Sequence, residues 1–151
     1  MRTLSKSYSL AGLRFGFAVA DSGLIEQMMK VKDSYNVSAP AIAGAAAAIE
    51  DRQWLAETTG KIVRTRGALL EGLGELGFDC WPSETNFVLA RTPAGFDAKV
   101  VFDTLFRKKI LVRYFDLPRL DDCLRITVGT DAEIEQLLDA LSAVIEESRV
   151  S

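Results

Sequence analysis

An apolar stripe in the middle of the chain restricts the fold more than any other feature. Leu55, Ile62, Leu69, Leu73 and Leu76 recur at spacings of sevens, fours and threes, which lines them along one side of a helix from Gln53 to Leu76. Gly77 stands where such a helix needs a C-cap. Gly72 and Gly74 weaken the last turns by up to about 1 kcal/mol each relative to alanine. Glu57 and Lys61 form an i,i+4 pair on the exposed side. A helix of this length spans two bodies, so the chain divides into residues 1–76 and residues 77–151.

The pattern differs on the two sides of that helix. On the N-terminal side, Phe15 to Ala20 reads as a short buried strand, and Asp21 caps a helix through Val31. Tyr35 to Pro40 is a loop in which the proline pushes Ala39 toward extended geometry. Ala41 to Ile49 is an alanine-rich helix that good helix propensity alone explains. On the C-terminal side, strands are expected at Thr85–Arg91, Ile110–Phe115 and Leu124–Val128. Between the first two, Asp97 caps a helix from Ala98 to Lys109 with Val101, Phe102, Leu105 and Phe106 facing inward. Thr130-Asp131-Ala132-Glu133 is a capping box opening a last helix striped by Ile134, Leu138, Leu141 and Ile145. The result is a β-α-β-β-α unit, a small α+β body able to bury its own core.

Composition removes several classes of function. A net charge of −3 with pI near 5.1 offers no basic stripe for nucleic acid. No apolar run reaches the roughly 18 residues of a membrane span, and polar Ser and Lys interrupt any leader pattern at once. With no histidine, a Ser-His-Asp triad, a Cys-His dyad and a histidine-containing zinc site are excluded within this chain. Cys80 and Cys123 match no metal spacing and read as small core residues in a reducing cytosol, although a disulfide stays open.

Chemistry concentrates near the N-terminus, in Arg2-Thr3-Leu4-Ser5-Lys6-Ser7-Tyr8-Ser9-Leu10-Ala11-Gly12-Leu13-Arg14-Phe15-Gly16. Lys6 sits on the turn feeding the first strand, where its amine can face a cleft. An amine flanked by small hydroxyls, with a guanidinium eight residues on, suits a group that carries both an aldehyde and a phosphate. Ser5-Lys6, seven residues, Arg14-x-Gly16 resembles the lysine segment of the fold-type I pyridoxal-phosphate aminotransferases, nearest their histidinol-phosphate branch.

That resemblance implies an α/β fold in two parts, a remnant of the large cofactor-binding domain and a complete small α+β domain. It implies pyridoxal 5'-phosphate as cofactor, with Lys6 as the catalytic amine and Thr3, Ser5, Lys6 and Arg14 as its ligands. Small amino and keto compounds are the implied substrates, histidinol phosphate and 2-oxoglutarate first. A homodimer in the full-length form follows from the same source, while the two cysteines read as thiols point to a cytoplasmic setting.

Arg125, inside the apolar strand Leu124–Val128, either forms an ion pair or waits for an anion. The resemblance makes Arg125 and Arg113 the grip on the substrate's anionic end. It makes Asn86 a polar site residue, where a plain turn asparagine is an equal reading. A threonine-phosphate decarboxylase-like lyase and an aromatic aminotransferase share the scaffold. A noncatalytic α+β module assembling through the alanine-rich helix is the alternative of another class. The acidic and aromatic groups that complete such a site lie, in the family, before the lysine. The chain is therefore expected to be an incomplete enzyme, about the C-terminal two-fifths of a family member, that binds the cofactor poorly and does not transaminate alone.

Overall fold

The computed structural model describes residues 1–149. They form two compact units, Met1–Thr59 and the chain from Gly60 onward. The boundary falls within the long central helix.

The first unit opens with a two-stranded antiparallel pair, β1 (Arg2–Thr3) and β2 (Gly16–Phe17). Two helices follow, α1 (Ser22–Val31) and α2 (Ala39–Glu50), and then the start of α3 (Arg52–Glu75). Asp21 caps α1 by accepting from the Gly23 amide at 2.9 Å. The expected strand over Phe15–Ala20 is reduced to Gly16–Phe17 and is not buried: Phe17 is 41% and Val19 83% exposed. β-favouring side chains need a paired partner along the run, and β1 supplies only two residues. Ala39 is not extended either. Ser38 takes that role at the N-cap, and Pro40 is tolerated because a helix's first-turn amides have no intrahelical acceptor to lose.

Asp51 joins α2 to α3, its backbone closing the first helix and its carboxylate accepting from the Trp54 amide at 3.0 Å to open the second. The anticipated Glu57–Lys61 pair is not found among the described residues; Gln53 donates to Glu57 instead, at 2.9 Å. At the other end of α3, Gly77 takes φ +84°, with Phe78 N–H on Leu73 O and Gly77 N–H on Gly74 O, both at 3.0 Å. That is the six-to-one, five-to-two pair of bonds that a glycine past a helix end permits.

The second unit is a four-stranded antiparallel sheet in the order β3 (Asp79–Cys80), β4 (Phe87–Arg91), β6 (Cys123–Thr127), β5 (Arg113–Tyr114). Helices α4 (Ala98–Arg107) and α5 (Asp131–Arg149) complete it. Alternation along the strands sends Val88 and Ala90 of β4, and Leu124 and Ile126 of β6, into one core with Leu69 and Leu73 of α3. The capping box forms as expected, with Thr130 N–H on Glu133 Oε2 at 2.7 Å and Glu133 N–H on Thr130 Oγ1 at 3.3 Å. The Thr130 amide, and the Thr130 hydroxyl at 2.9 Å, hold the Glu133 carboxyl below the usual glutamate range. A lowered pKa stabilises the fold at pH above that range and is lost as the pH falls through it.

Three expectations change here. The unit gains β3, a two-residue edge strand. The expected strand Ile110–Phe115 pairs only at Arg113–Tyr114, because Lys109 (φ +65°) turns the chain out of α4. Phe106 is 57% exposed rather than inward, while Val101 and Leu105 are buried.

The two helix glycines also part company. A Cβ on Gly72 would lie 2.5 Å from Leu138 Cδ1, whereas one on Gly74 meets nothing within 4 Å. Gly74→Ala is expected to stabilise the protein by about 0.5–1 kcal/mol through helix propensity. Gly72→Ala is expected to destabilise by about 1 kcal/mol or more, because overpacking outweighs that gain. Denaturant melts of both variants check the sign; two shifts in the same direction would contradict the packing described.

Candidate functional site

The lysine segment is a hairpin whose loop runs from Leu4 to Phe15. Thr3 pairs with Gly16, and the Leu4 amide donates to Phe15 O at 3.1 Å. A Cβ on Gly16 would lie 2.8 Å from the Arg2 carbonyl oxygen, so the close approach of the strands requires glycine there. Leu4 is fully buried and anchors the loop. Beyond it, Leu10 N–H on Leu4 O (3.0 Å) and Ser9 N–H on Lys6 O (2.8 Å) close a turn around Lys6, which is exposed. Leu13 seats the hairpin on α2: its Cδ1 stands 2.9 Å from where a Cβ on Gly44 would be.

Arg14 follows the 3₁₀ turn Ala11–Leu13 in the left-handed region (φ 51°, ψ 42°), and its Nη1 donates to Ala11 O at 3.0 Å. Such backbone is uncommon for a non-glycine residue and marks a position held by its surroundings. The Thr3 hydroxyl oxygen accepts from the Ser5 amide at 3.2 Å, which leaves its hydrogen free to donate. Among the described residues, neither Lys6 nor Arg14 has a carboxylate within ion-pair distance. One amine, two hydroxyls and an unneutralised guanidinium on one hairpin are a donor set that fits an aldehyde bearing a phosphate.

In the second unit, Arg113 and Arg125 are direct cross-strand partners between β5 and β6. Like charges facing each other across strands destabilise a sheet. No carboxylate relieves them among the described residues, and Arg125 Nε is buried with no hydrogen-bond acceptor. Of the two readings of Arg125, the ion pair is therefore not realised. Aromatic rings stand in its place: the Arg125 guanidinium is 5.5 Å from the Phe87 ring and 5.7 Å from that of Phe115, and Arg113 is 5.4 Å from Phe115. Arg91 of the same sheet shows the contrast. It reaches Asp122 at 2.7 Å and Asp79 at 3.4 Å, and the thiol of Cys123 with Arg91 holds the Asp122 carboxyl below its usual range.

Asn86 is half-buried at the foot of β4, its carbonyl accepting from the Val128 amide at 2.9 Å. Sequence reasoning missed what holds it. Arg66 of α3, 8% exposed, donates through Nη1 to Thr85 O at 2.7 Å and pairs with Glu84 at 3.3 Å. Ser83 adds a bond to Phe87 O at 2.6 Å. These bonds shorten the expected strand from Thr85 to Phe87. An arginine on the helix's apolar side was the available signal.

Neither thiol is suited to chemistry. Burial, then Asp79, pushes Cys80 up to about 11; burial, then the bond to Asp122, pushes Cys123 up to about 12. An aromatic disulfide reagent is expected to label neither cysteine rapidly in the native protein and both after denaturation. The native rate is expected to rise about tenfold per pH unit; a fast native thiol at pH 8 would contradict the burial seen. Both cysteines are free, so the disulfide is not formed.

No helix of the described residues is long and apolar enough to cross a membrane. The family model for aminotransferases of class I and II matches residues 1–141. A histidinol-phosphate aminotransferase of Gluconacetobacter diazotrophicus is 51% identical over 148 residues, 96% of this chain and 41% of the relative. The crystal structure of histidinol-phosphate aminotransferase from Sinorhizobium meliloti in complex with pyridoxal-5'-phosphate superposes with a TM-score of 0.84 at 33% identity, over 96% of this chain and 40% of that one. The L-threonine-O-3-phosphate decarboxylase of Porphyromonas gingivalis gives 0.80 at 26% identity, over 95% and 45%. The chain thus spans about two-fifths of the length of the curated relatives it matches, such as 41% of the first. With its match running from the lysine hairpin into the last helix, the chain belongs to the class I and II aminotransferases.

Proposed function

We propose that this chain carries the lysine and the anion grip of a pyridoxal-phosphate transaminase acting on histidinol phosphate and 2-oxoglutarate. The observation that supports the reading most is that one hairpin carries Lys6, Thr3, Ser5 and Arg14, with no carboxylate within ion-pair distance of Lys6 or Arg14 among the described residues. Arg14 and the two hydroxyls would hold the cofactor's phosphate, and Lys6 its aldehyde end. When bound, the cofactor supplies an electron sink for the carbon that loses its proton. The Lys6 amine, once free, is the base that takes the proton from the substrate's α-carbon and returns it. Arg113 and Arg125 bind the substrate's phosphate or carboxylate, and Asn86 supplies a polar contact.

Exposed apolar side chains in the first unit, among them Met29 (57%), Val31 (86%) and Ile42 (54%), support a homodimer. The free thiols suit a cytoplasmic setting. A lyase acting on a phosphorylated amino acid is the second reading. It rests on the decarboxylase's similarity and on an arginine pair that suits either substrate.

The test uses the protein with whatever sequence flanks this chain in its gene. Histidinol phosphate and 2-oxoglutarate are expected to yield glutamate, and Lys6→Ala to lower the rate by about a thousandfold or more. Release of carbon dioxide without glutamate would favour the lyase. An unaffected Lys6→Ala rate would remove the reading altogether.

A further inference from the structure

Two arginines paired across neighbouring strands, with no carboxylate at ion-pair distance among the described residues, need something to hold them there. An acid would do it at the expense of function, because it would neutralise the pair before any ligand arrived. Phe115 lies at the end of β5 with its ring within cation–π range of both, 5.4 Å from Arg113 and 5.7 Å from Arg125. Phe87, on β4, backs Arg125 from another strand at 5.5 Å. Both rings are half-buried, as is Arg125, while Arg113 is exposed, so the contact to Arg125 is the less screened of the two. A ring face attracts a cation without cancelling its formal charge, and a ring has no flexible arm with which to follow it.

We propose that Phe115 is a positioning residue of the anion subsite. It is the shared surface that keeps Arg113 and Arg125 adjacent, charged and unpaired, so that a doubly charged oxyanion meets a ready-made fork. Phe87 supports the same arrangement for Arg125 alone. The proposal rests on the reading of the two arginines as the grip on the substrate anion.

The test follows inorganic phosphate binding by phosphorus NMR titration at low ionic strength. Steady-state kinetics with the phosphate-bearing amino substrate run in parallel, on the protein with its flanking sequence. Phe115→Leu keeps bulk but removes the ring. It is expected to weaken phosphate binding and raise KM by about fivefold to tenfold, as the loss of one or two cation–π contacts implies, while kcat stays within about twofold. Phe115→Trp is expected to restore binding, and Phe87→Leu to show a smaller loss of the same kind. Binding unchanged in Phe115→Leu, or lost equally in Phe115→Trp, would overturn the proposal while leaving the arginines' role intact. Binding unchanged in both Arg113→Gln and Arg125→Gln would overturn the anion-subsite reading itself, and this proposal with it.

Discussion

Arg125→Met is expected to make the protein more stable while removing most of its grip on a phosphate-bearing substrate. The stability gain follows from the buried Nε that has no acceptor and from the like charge of Arg113 across the strand pair. An unsatisfied buried donor costs about 1–3 kcal/mol, and two cation–π contacts return about 0.5–1 kcal/mol each. With about 0.2–1 kcal/mol more from relieving the like charge, the balance favours methionine by about 1 kcal/mol, enough to move Tm up by a few degrees. The functional loss follows from the proposed role of Arg125, since a charge-assisted contact from a partly buried guanidinium to an anion is among the stronger ones a site can offer. A drop in kcat/KM of about a hundredfold or more is expected. Thermal unfolding and kinetics on one preparation check both halves. A destabilised variant with normal kinetics would reverse the assignment, making Arg125 a structural residue whose partner has been overlooked.

Gly16→Ala is the second large effect, and it acts through backbone. The new methyl would sit 2.8 Å from the Arg2 carbonyl oxygen, a main-chain atom with no rotamer to yield. The two strands must separate, and the pairing of Thr3 with Gly16 goes with them. A local loss of about 1–3 kcal/mol is expected. If the hairpin holds the cofactor as proposed, affinity for pyridoxal phosphate is expected to fall on the order of a hundredfold, because the hairpin's donors are displaced. Gly12→Ala is the control: a Cβ there meets nothing within 4 Å. It is expected to change stability by less than about 0.5 kcal/mol. Equal behaviour of the two variants would show that the hairpin's geometry does not govern binding.

Where the sequence could be read and where it could not follows from the range of the forces involved. Caps are local, so Asp21, Asp97, Gly77 and Thr130 with Glu133 could each be recognised from neighbours within a few residues, and each forms. The apolar side of α3 was legible for the same reason, down to the burial of Leu69 and Leu73. Two-residue strands have no periodicity to read, so β3 and the true extent of β2 and β5 were invisible. The partners of Arg125 were equally hidden. Phe87 and Phe115 lie far from it in sequence, and only the register of three strands brings their rings beneath its guanidinium. Arg66 escaped notice because a charged residue on a helix is ordinarily solvated, and its acceptor, Thr85 O, belongs to a different element. At the lysine hairpin, the family resemblance gathered the site residues; the reason Gly16 must be glycine needed the coordinates.

The proposed role of the Lys6 amine, to hold pyridoxal phosphate, can be measured directly. The direct measurement is borohydride reduction of the protein, with its flanking sequence and one equivalent of the cofactor, followed by peptide mass analysis. The account expects a single phosphopyridoxyl group on the peptide containing Lys6, absent from Lys6→Ala. A label on another lysine, or a labelled Lys6→Ala protein, would contradict it.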